Sequence, residues 1–205
     1  MPYPAVQLRL PDWIEPFLVA RPLAFETPED RMRLVLELVA RNIRHGTGGP
    51  FAAAVFDLAD GRLVAPGLNV VVASGCAIAH AEIMALSMAQ RVTGRYTLAA
   101  AAPGRGFELV SSAAPCAMCL GAVQWSGVAR LVCGARDADV RAIGFDEGHK
   151  PYDWVSGLQR RGIAVAVDVL REEAAASLRR YAAEGGLIYN AHPLRAERLP
   201  AEPRL

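Results

Sequence analysis

A chain of 205 residues, 53% of them hydrophobic, carries enough apolar side chain to close one sizeable core, which excludes a disordered protein. Its 22 Lys and Arg against 21 Asp and Glu leave a net charge of +1, so no overall field draws it to nucleic acid or an anionic membrane; the longest apolar stretches are too short to span a bilayer. Four cysteines, and no basic and apolar leader after Met1-Pro2-Tyr3-Pro4, fit a reducing cytosol and give the expectation of a cytoplasmic protein without a disulfide framework.

Residues 1–26 hold five prolines and Trp13 without a sustained period, and read as an extended arm that packs on the body of the protein or on a partner subunit. Thr27-Pro28-Glu29-Asp30 then starts a helix, with Thr27 as N-cap, Pro28 in the first turn and acids near the positive end. Met32, Val35, Leu36, Val39 and Ile43 supply its apolar face, and it stops near His45-Gly46, His45 serving as a charge at the helix C-terminus. Phe51 to Leu58 and Leu63 to Val72 read as two strands joined by the hairpin signal Asp60-Gly61. Ala79 to Thr93 forms a helix ended by Gly94, Phe107 to Ser112 a strand, and a second helix runs from the following cysteines to about Ser126. Ala129 to Ala135 is the next strand; after a polar loop come a short helix over Trp154 to Arg161, a last strand over Ile163 to Val169, and an amphipathic helix over Arg171 to Glu184. Strands alternating with helices imply crossovers, hence an α/β fold: a three-layer α/β/α sandwich around a five-stranded mixed sheet. The main domain is placed at 27–190, between the arm at 1–26 and a mobile, proline-bearing tail at 191–205.

Two short stretches organise this chain. Cys116 and Cys119 in Pro115-Cys116-Ala117-Met118-Cys119 stand three apart at a helix start, so both sulfurs face one way and form a chelate. His80 in His80-Ala81-Glu82 opens the other helix. One imidazole and two thiolates make three ligands for a tetrahedral zinc and leave a fourth position open, where the metal acidifies water from a pKa of about 15.7 to about 7. Two helix N-termini aimed at the metal favour thiolate and hydroxide alike. Glu82 would lie about 200° from His80 on a regular helix, yet an irregular first turn aims both inward, and Glu82 is the candidate general acid and base. Cys76 is the available fourth ligand that would turn this into a closed structural site; a free loop thiol is the preferred reading, and Cys133 in an apolar strand reads as a small core residue.

An H-x-E followed by P-C-x-x-C matches the signature of zinc deaminases. With Gly49-Pro50-Phe51 before the first strand and Asn69 after the hairpin, the order of parts over roughly residues 28–190 resembles the cytidine-deaminase fold superfamily. Within it, Gly48-Gly49-Pro50-Phe51, Cys119-Leu120-Gly121-Ala122-Val123-Gln124-Trp125-Ser126, Leu187-Ile188-Tyr189-Asn190 and above all Ala142-Ile143-Gly144-Phe145-Asp146-Glu147-Gly148 resemble bacterial guanine deaminases, in particular the branch that also accepts the triazine ammeline. The resemblance implies one zinc ion per chain on His80, Cys116 and Cys119, and Glu82 as the proton-transferring carboxylate. It further implies Asn69 as the amide that holds the base, Phe51 as a ring against it, and Glu147 as a second catalytic acid. Ala81, Trp125 and Phe145 complete the substrate-binding candidates. Ala52, where many relatives have Gly, is a departure that leaves the backbone near the pocket less permissive.

The implied reaction is hydrolysis of a free purine-like base, guanine to xanthine and ammonia, by a homodimer with a small-molecule partner and no membrane. Three rivals stay open. A tRNA adenosine deaminase shares the zinc motif but calls for a basic surface, whereas the last helix mixes Arg179 and Arg180 with Glu172, Glu173 and Glu184. A deaminase of cytosine or a pterin-like ring is the second, and a non-catalytic zinc scaffold closed by Cys76 the third.

Overall fold

The computed structural model describes residues 3, 6–21, 24–100, 102 and 105–190; the tail expected at 191–205 lies outside them. The long helix α2 (Pro28–Arg44) begins as its sequence dictates: the Thr27 hydroxyl accepts the Asp30 N–H at 3.1 Å, Pro28 sits in the first turn, and Glu29 and Asp30 face the positive end of the dipole. Five strands form one mixed sheet in the order β2 (Leu63–Leu68), β1 (Ala52–Asp57), β3 (Phe107–Ala113), β4 (Arg130–Ala135) and β5 (Ala164–Ala166). β1 runs antiparallel to both β2 and β3, while β3, β4 and β5 are parallel, as their intervening helices require.

Three layers result. Met32, Val35, Leu38 and Val39 of α2 close the core on one face of the sheet, beside α8 (Arg171–Ala183). On the other face, Ala81, Ala85 and Ala89 of α4 (Ala81–Thr93) and Leu120 and Val123 of α5 (Ala117–Ser126) pack against Ala53, Val55, Leu109 and Leu131. Strand β1 is buried from Ala52 to Phe56 without alternation, as expected of a strand covered on both faces. Glu108 of β3, fully buried, is held by Arg31 and Arg130, so this buried charge is paired.

The structure departs from the sequence reading in four places. Val71 and Val72, expected to end β2, lie in a one-turn helix α3 (Val71–Ser74), because the Asn69 side chain accepts the Val71 N–H and turns the chain out of the sheet. The arm holds a short helix α1 (Ile14–Val19), whose Ile14 and Phe17 are buried in the core beside α2. The polar loop after β4 contains α6 (Asp137–Ala142), nucleated by the Asp139 carboxylate accepting the Arg136 N–H at 2.8 Å. The last strand spans only Ala164–Ala166, since the chain beyond turns through left-handed Asp168 and Leu170, with Asp168 paired to Arg136. The short helix α7 (Trp154–Arg160) stands where expected.

Candidate active site

The N-termini of α4 and α5 meet at one edge of the sheet, and the residue capping each is a ligand candidate. His80 and Cys116 have extended rather than helical backbone, with φ/ψ of −71°/155° and −63°/173°. That geometry removes the 200° problem: an extended His80 and a helical Glu82 both aim inward.

His80 Nδ1 lies 3.5 Å from Cys116 Sγ and 3.6 Å from Cys119 Sγ. Tetrahedral bonds of about 2.05 Å to nitrogen and 2.3 Å to sulfur set an N to S edge of about 3.6 Å, so both nitrogen-to-sulfur edges already have the length a tetrahedral zinc requires. Hydrogen bonding from Cys119, helped by His80, pulls the Cys116 thiol down to about 4, while the same hydrogen bond and burial push Cys119 up. Burial works against a charge on His80, but the contact with Cys116 and the charges of Glu82 and Glu147 outweigh it and raise its pKa. Cys76 does not join the group; half-buried, it packs against the core beside α2.

Glu82 and Glu147 are both buried at the cavity. Glu82 accepts a hydrogen bond from the Ser111 hydroxyl at 3.2 Å, and desolvation, reinforced by the Cys116 charge, raises its pKa. Burial, then the charges of Cys116 and Glu82, push Glu147 up to about 8 in the metal-free protein. The loop that carries it is pinned to the first turn of α5: the Glu147 carbonyl accepts the Ala117 N–H at 2.9 Å. Lys150, three residues on, donates to the Pro115 carbonyl at 2.6 Å and pairs with Asp137 at 2.7 Å.

Both acids, His80 and Cys116 line a cavity of about 430 Å³ together with three aromatic side chains, while Cys119 is buried behind it. Phe51 and Phe145 meet edge to face at 5.1 Å, and Phe145 meets Tyr189 the same way at 5.2 Å. Asn69, 2% exposed, lines the same cavity. The structure thus brings together His80, Cys116, Cys119, Glu82, Glu147, Phe51, Asn69 and Phe145.

Two candidates fall elsewhere. Trp125 is 87% exposed and does not line the cavity: Cys119, Leu120 and Val123 face inward from α5, and Trp125, two positions beyond Val123, points about 200° away from it. Ala81 is fully buried between α4 and β2, where a Cβ on Gly67 would lie 2.2 Å from the Ala81 carbonyl oxygen; it packs and does not reach the cavity.

Tyr189 is a cavity residue to which the sequence assigned no role. Its hydroxyl is buried without a hydrogen-bond partner among the described residues. Asn190 stitches this segment onto the Glu147 loop, accepting the Asp146 N–H at 2.8 Å and donating to the Gly144 carbonyl at 3.0 Å. The family-like stretch Leu187-Ile188-Tyr189-Asn190 was the available signal.

Comparison with known proteins agrees with this geometry. The profile of the cytidine and deoxycytidylate deaminase zinc-binding region matches residues 26–135. The solved structure of NE0047 in complex with 2,6-diaminopurine is 52% identical, covers 91% of this chain and 97% of its own, and superposes with a TM-score of 0.81. The structure of a guanine deaminase from Nitrosomonas europaea is 51% identical, covers 87% of this chain and 97% of its own, and has a TM-score of 0.79. The guanine deaminase of Bacillus subtilis (strain 168) is 34% identical over 119 residues, which are 58% of this chain and 71% of that relative. No helix among the described residues is long and apolar enough to cross a membrane.

Proposed function

The chain belongs to the cytidine and deoxycytidylate deaminase family of zinc enzymes, and from that premise we propose that it hydrolyses a free purine base, guanine, to xanthine and ammonia. The observation that carries this reading is the pair of buried acids, Glu82 and Glu147, lining one cavity with Phe51, Phe145 and Tyr189. Aromatic side chains offer faces and edges to a flat ring, and two carboxyl groups supply the two proton transfers that deamination needs.

His80, Cys116 and Cys119 would hold the zinc, the two nitrogen-to-sulfur distances being already those that bonding requires. Zinc, when bound, supplies water acidified towards neutral pH. Glu82, steadied on one oxygen by Ser111, takes a proton with the other and delivers it to a ring nitrogen, so that charge stays low at the carbon bearing the amine. Glu147, buried at the cavity, passes a proton to the departing amino group, which leaves as ammonia rather than as an amide ion, and regains one from the hydroxyl added to that carbon as it becomes a carbonyl. Phe51 and Phe145 hold the ring, and Asn69 orients its polar edge.

The same reading takes residues 27–190 as the catalytic unit and the protein as a cytoplasmic homodimer. Support for a dimer comes from α5, which turns Trp125 outward although Leu120 and Val123 on its inner face are already buried. Ammonia release measured across guanine, ammeline, guanosine, cytosine, adenine and a tRNA substrate tests the assignment. Guanine is expected to lead, with ammeline as the other free ring accepted. Salt-sensitive turnover of tRNA with no turnover of free bases would replace this reading by the tRNA one.

A further inference from the structure

The reaction gives no part to Asn42, a fully buried polar side chain close to the residues that hold the base. Asn42 lies near the end of α2, 0% exposed, and every atom of its amide is engaged. Its Nδ2 donates to the carbonyls of Gly49 and Asn69, each at 3.0 Å. Because carbonyls only accept, this fixes which end of the amide is nitrogen. Oδ1 therefore accepts, from the Thr47 hydroxyl at 2.7 Å, and Thr47 Oγ1 in turn accepts the indole N–H of Trp13 at 3.1 Å. Trp13 is itself seated on His45, the rings stacked with centroids 5.2 Å apart.

What this relay grips is the mouth of the β1–β2 hairpin, where both base-holding residues stand. Gly49 is two residues before Phe51, and the Asn69 N–H donates to the Phe51 carbonyl at 3.1 Å. The approach is so close that a Cβ on Gly48 would lie 1.8 Å from the Asn69 oxygen and 2.8 Å from Asn42 Nδ2, which accounts for glycine there. Asn69 itself spends Oδ1 on the Val71 N–H at 3.3 Å, and an N–H can only donate, so its Nδ2 is the donor end; of the two N–H groups there, one is within reach of the Tyr189 hydroxyl and the other is left to meet a ligand.

We propose that Asn42, locked by Thr47 and Trp13, is a positioning residue for base recognition: it clamps Gly49 and Asn69 in one frame and so presents Asn69 Nδ2 to the cavity as a donor, selecting rings with an acceptor at that edge. The inference rests on Asn69 as the amide that holds the base. It extends the site to a residue on the far side of the hairpin and to Trp13 outside the catalytic unit.

A double-substitution cycle on the zinc-loaded enzyme tests it. Thr47→Val removes the donor to Asn42 Oδ1 and is expected to lower kcat/KM for guanine about three- to tenfold, mainly through KM. Thr47→Ser, which keeps the hydroxyl, restores it, and in an Asn69→Ala background Thr47→Val changes little more. Equal losses in the two backgrounds, or none in either, overturn the proposal. Trp13→Phe, which removes the indole N–H together with part of the ring stacked on His45, replaces Thr47→Val if that variant does not fold. Hydrogen exchange of the Val71 amide gives a reading without substrate: faster in Thr47→Val and unchanged in Thr47→Ser is expected, and unchanged in both refutes the clamp. Wild-type protein inert towards guanine would sink the substrate assignment, whereas the exchange result decides the clamp by itself.

Discussion

The Ser111 hydroxyl on β3 donates to Glu82 Oε1 on α4 across 3.2 Å, in a place where both side chains are buried. This bond ties the proposed proton carrier to the central part of the sheet and favours its charged form. Ser111→Ala is expected to lower kcat about tenfold with little change in KM, and to move the acid limb of the kcat profile to higher pH. A pH profile of kcat on the two proteins is the check; an unshifted limb with unchanged kcat counts against the role of Ser111.

Metal content separates an open catalytic centre from a closed structural one. Cys116→Ser and Cys119→Ser each remove a ligand and are expected to yield protein with little zinc, whereas Cys76→Ser, altering a residue outside the triangle, should retain about one zinc per chain. Atomic absorption on freshly purified protein measures all three. Loss of zinc from the Cys76 variant would support the scaffold reading instead.

Glu147 makes the stability of metal-stripped protein depend on pH in a definite sense. Its carboxyl ionises at about 8 in the fold against 4.5 ordinarily, so the folded state binds the proton more tightly than the unfolded state. The stabilisation this gives is complete below the ordinary value and is lost as pH rises through about 8. In chelator-treated protein, the thermal midpoint of wild type minus that of Glu147→Gln should therefore fall between about pH 5 and pH 9. A difference that stays level, or rises, contradicts a buried protonated Glu147.

Trp125 lies on the outer face of α5, away from the cavity. Trp125→Ala is expected to keep kcat/KM within about twofold while weakening self-association, since an exposed aromatic is a typical anchor of an interface. Sedimentation velocity over a dilution series reads the second effect. A loss of activity without change of mass would mean that the indole serves the site after all.

Much of the site was legible because its chemistry is local in sequence. His80, Glu82, Cys116 and Cys119 announce themselves by spacing, and a helix start brings each pair inward whatever the rest of the chain does. The sheet was legible for a similar reason, since apolar runs punctuated by Asp60-Gly61, Gly94 and Gly127 mark the strands and helices one by one. Strand ends were less so: β2 stops at Leu68 because a side chain, that of Asn69, competes for the Val71 N–H.

Contacts made across the chain left no trace in any window. Asn42 reads as an indifferent helix residue, and only the fold brings it to the carbonyl of Asn69, 27 positions away. The Ile14 and Phe17 pair is too short a pattern to separate a one-and-a-half-turn helix from an arm. Trp125 was misplaced because family-like sequence around a metal-binding helix says which residues share the helix, not which of its faces meets the cavity.

The account stands most directly on Glu82. Zinc content and ammonia release from guanine, measured together on wild type and Glu82→Gln, test it: the variant should keep its zinc and lose at least about a thousandfold in kcat. Near-normal turnover by a zinc-loaded Glu82→Gln would contradict the account.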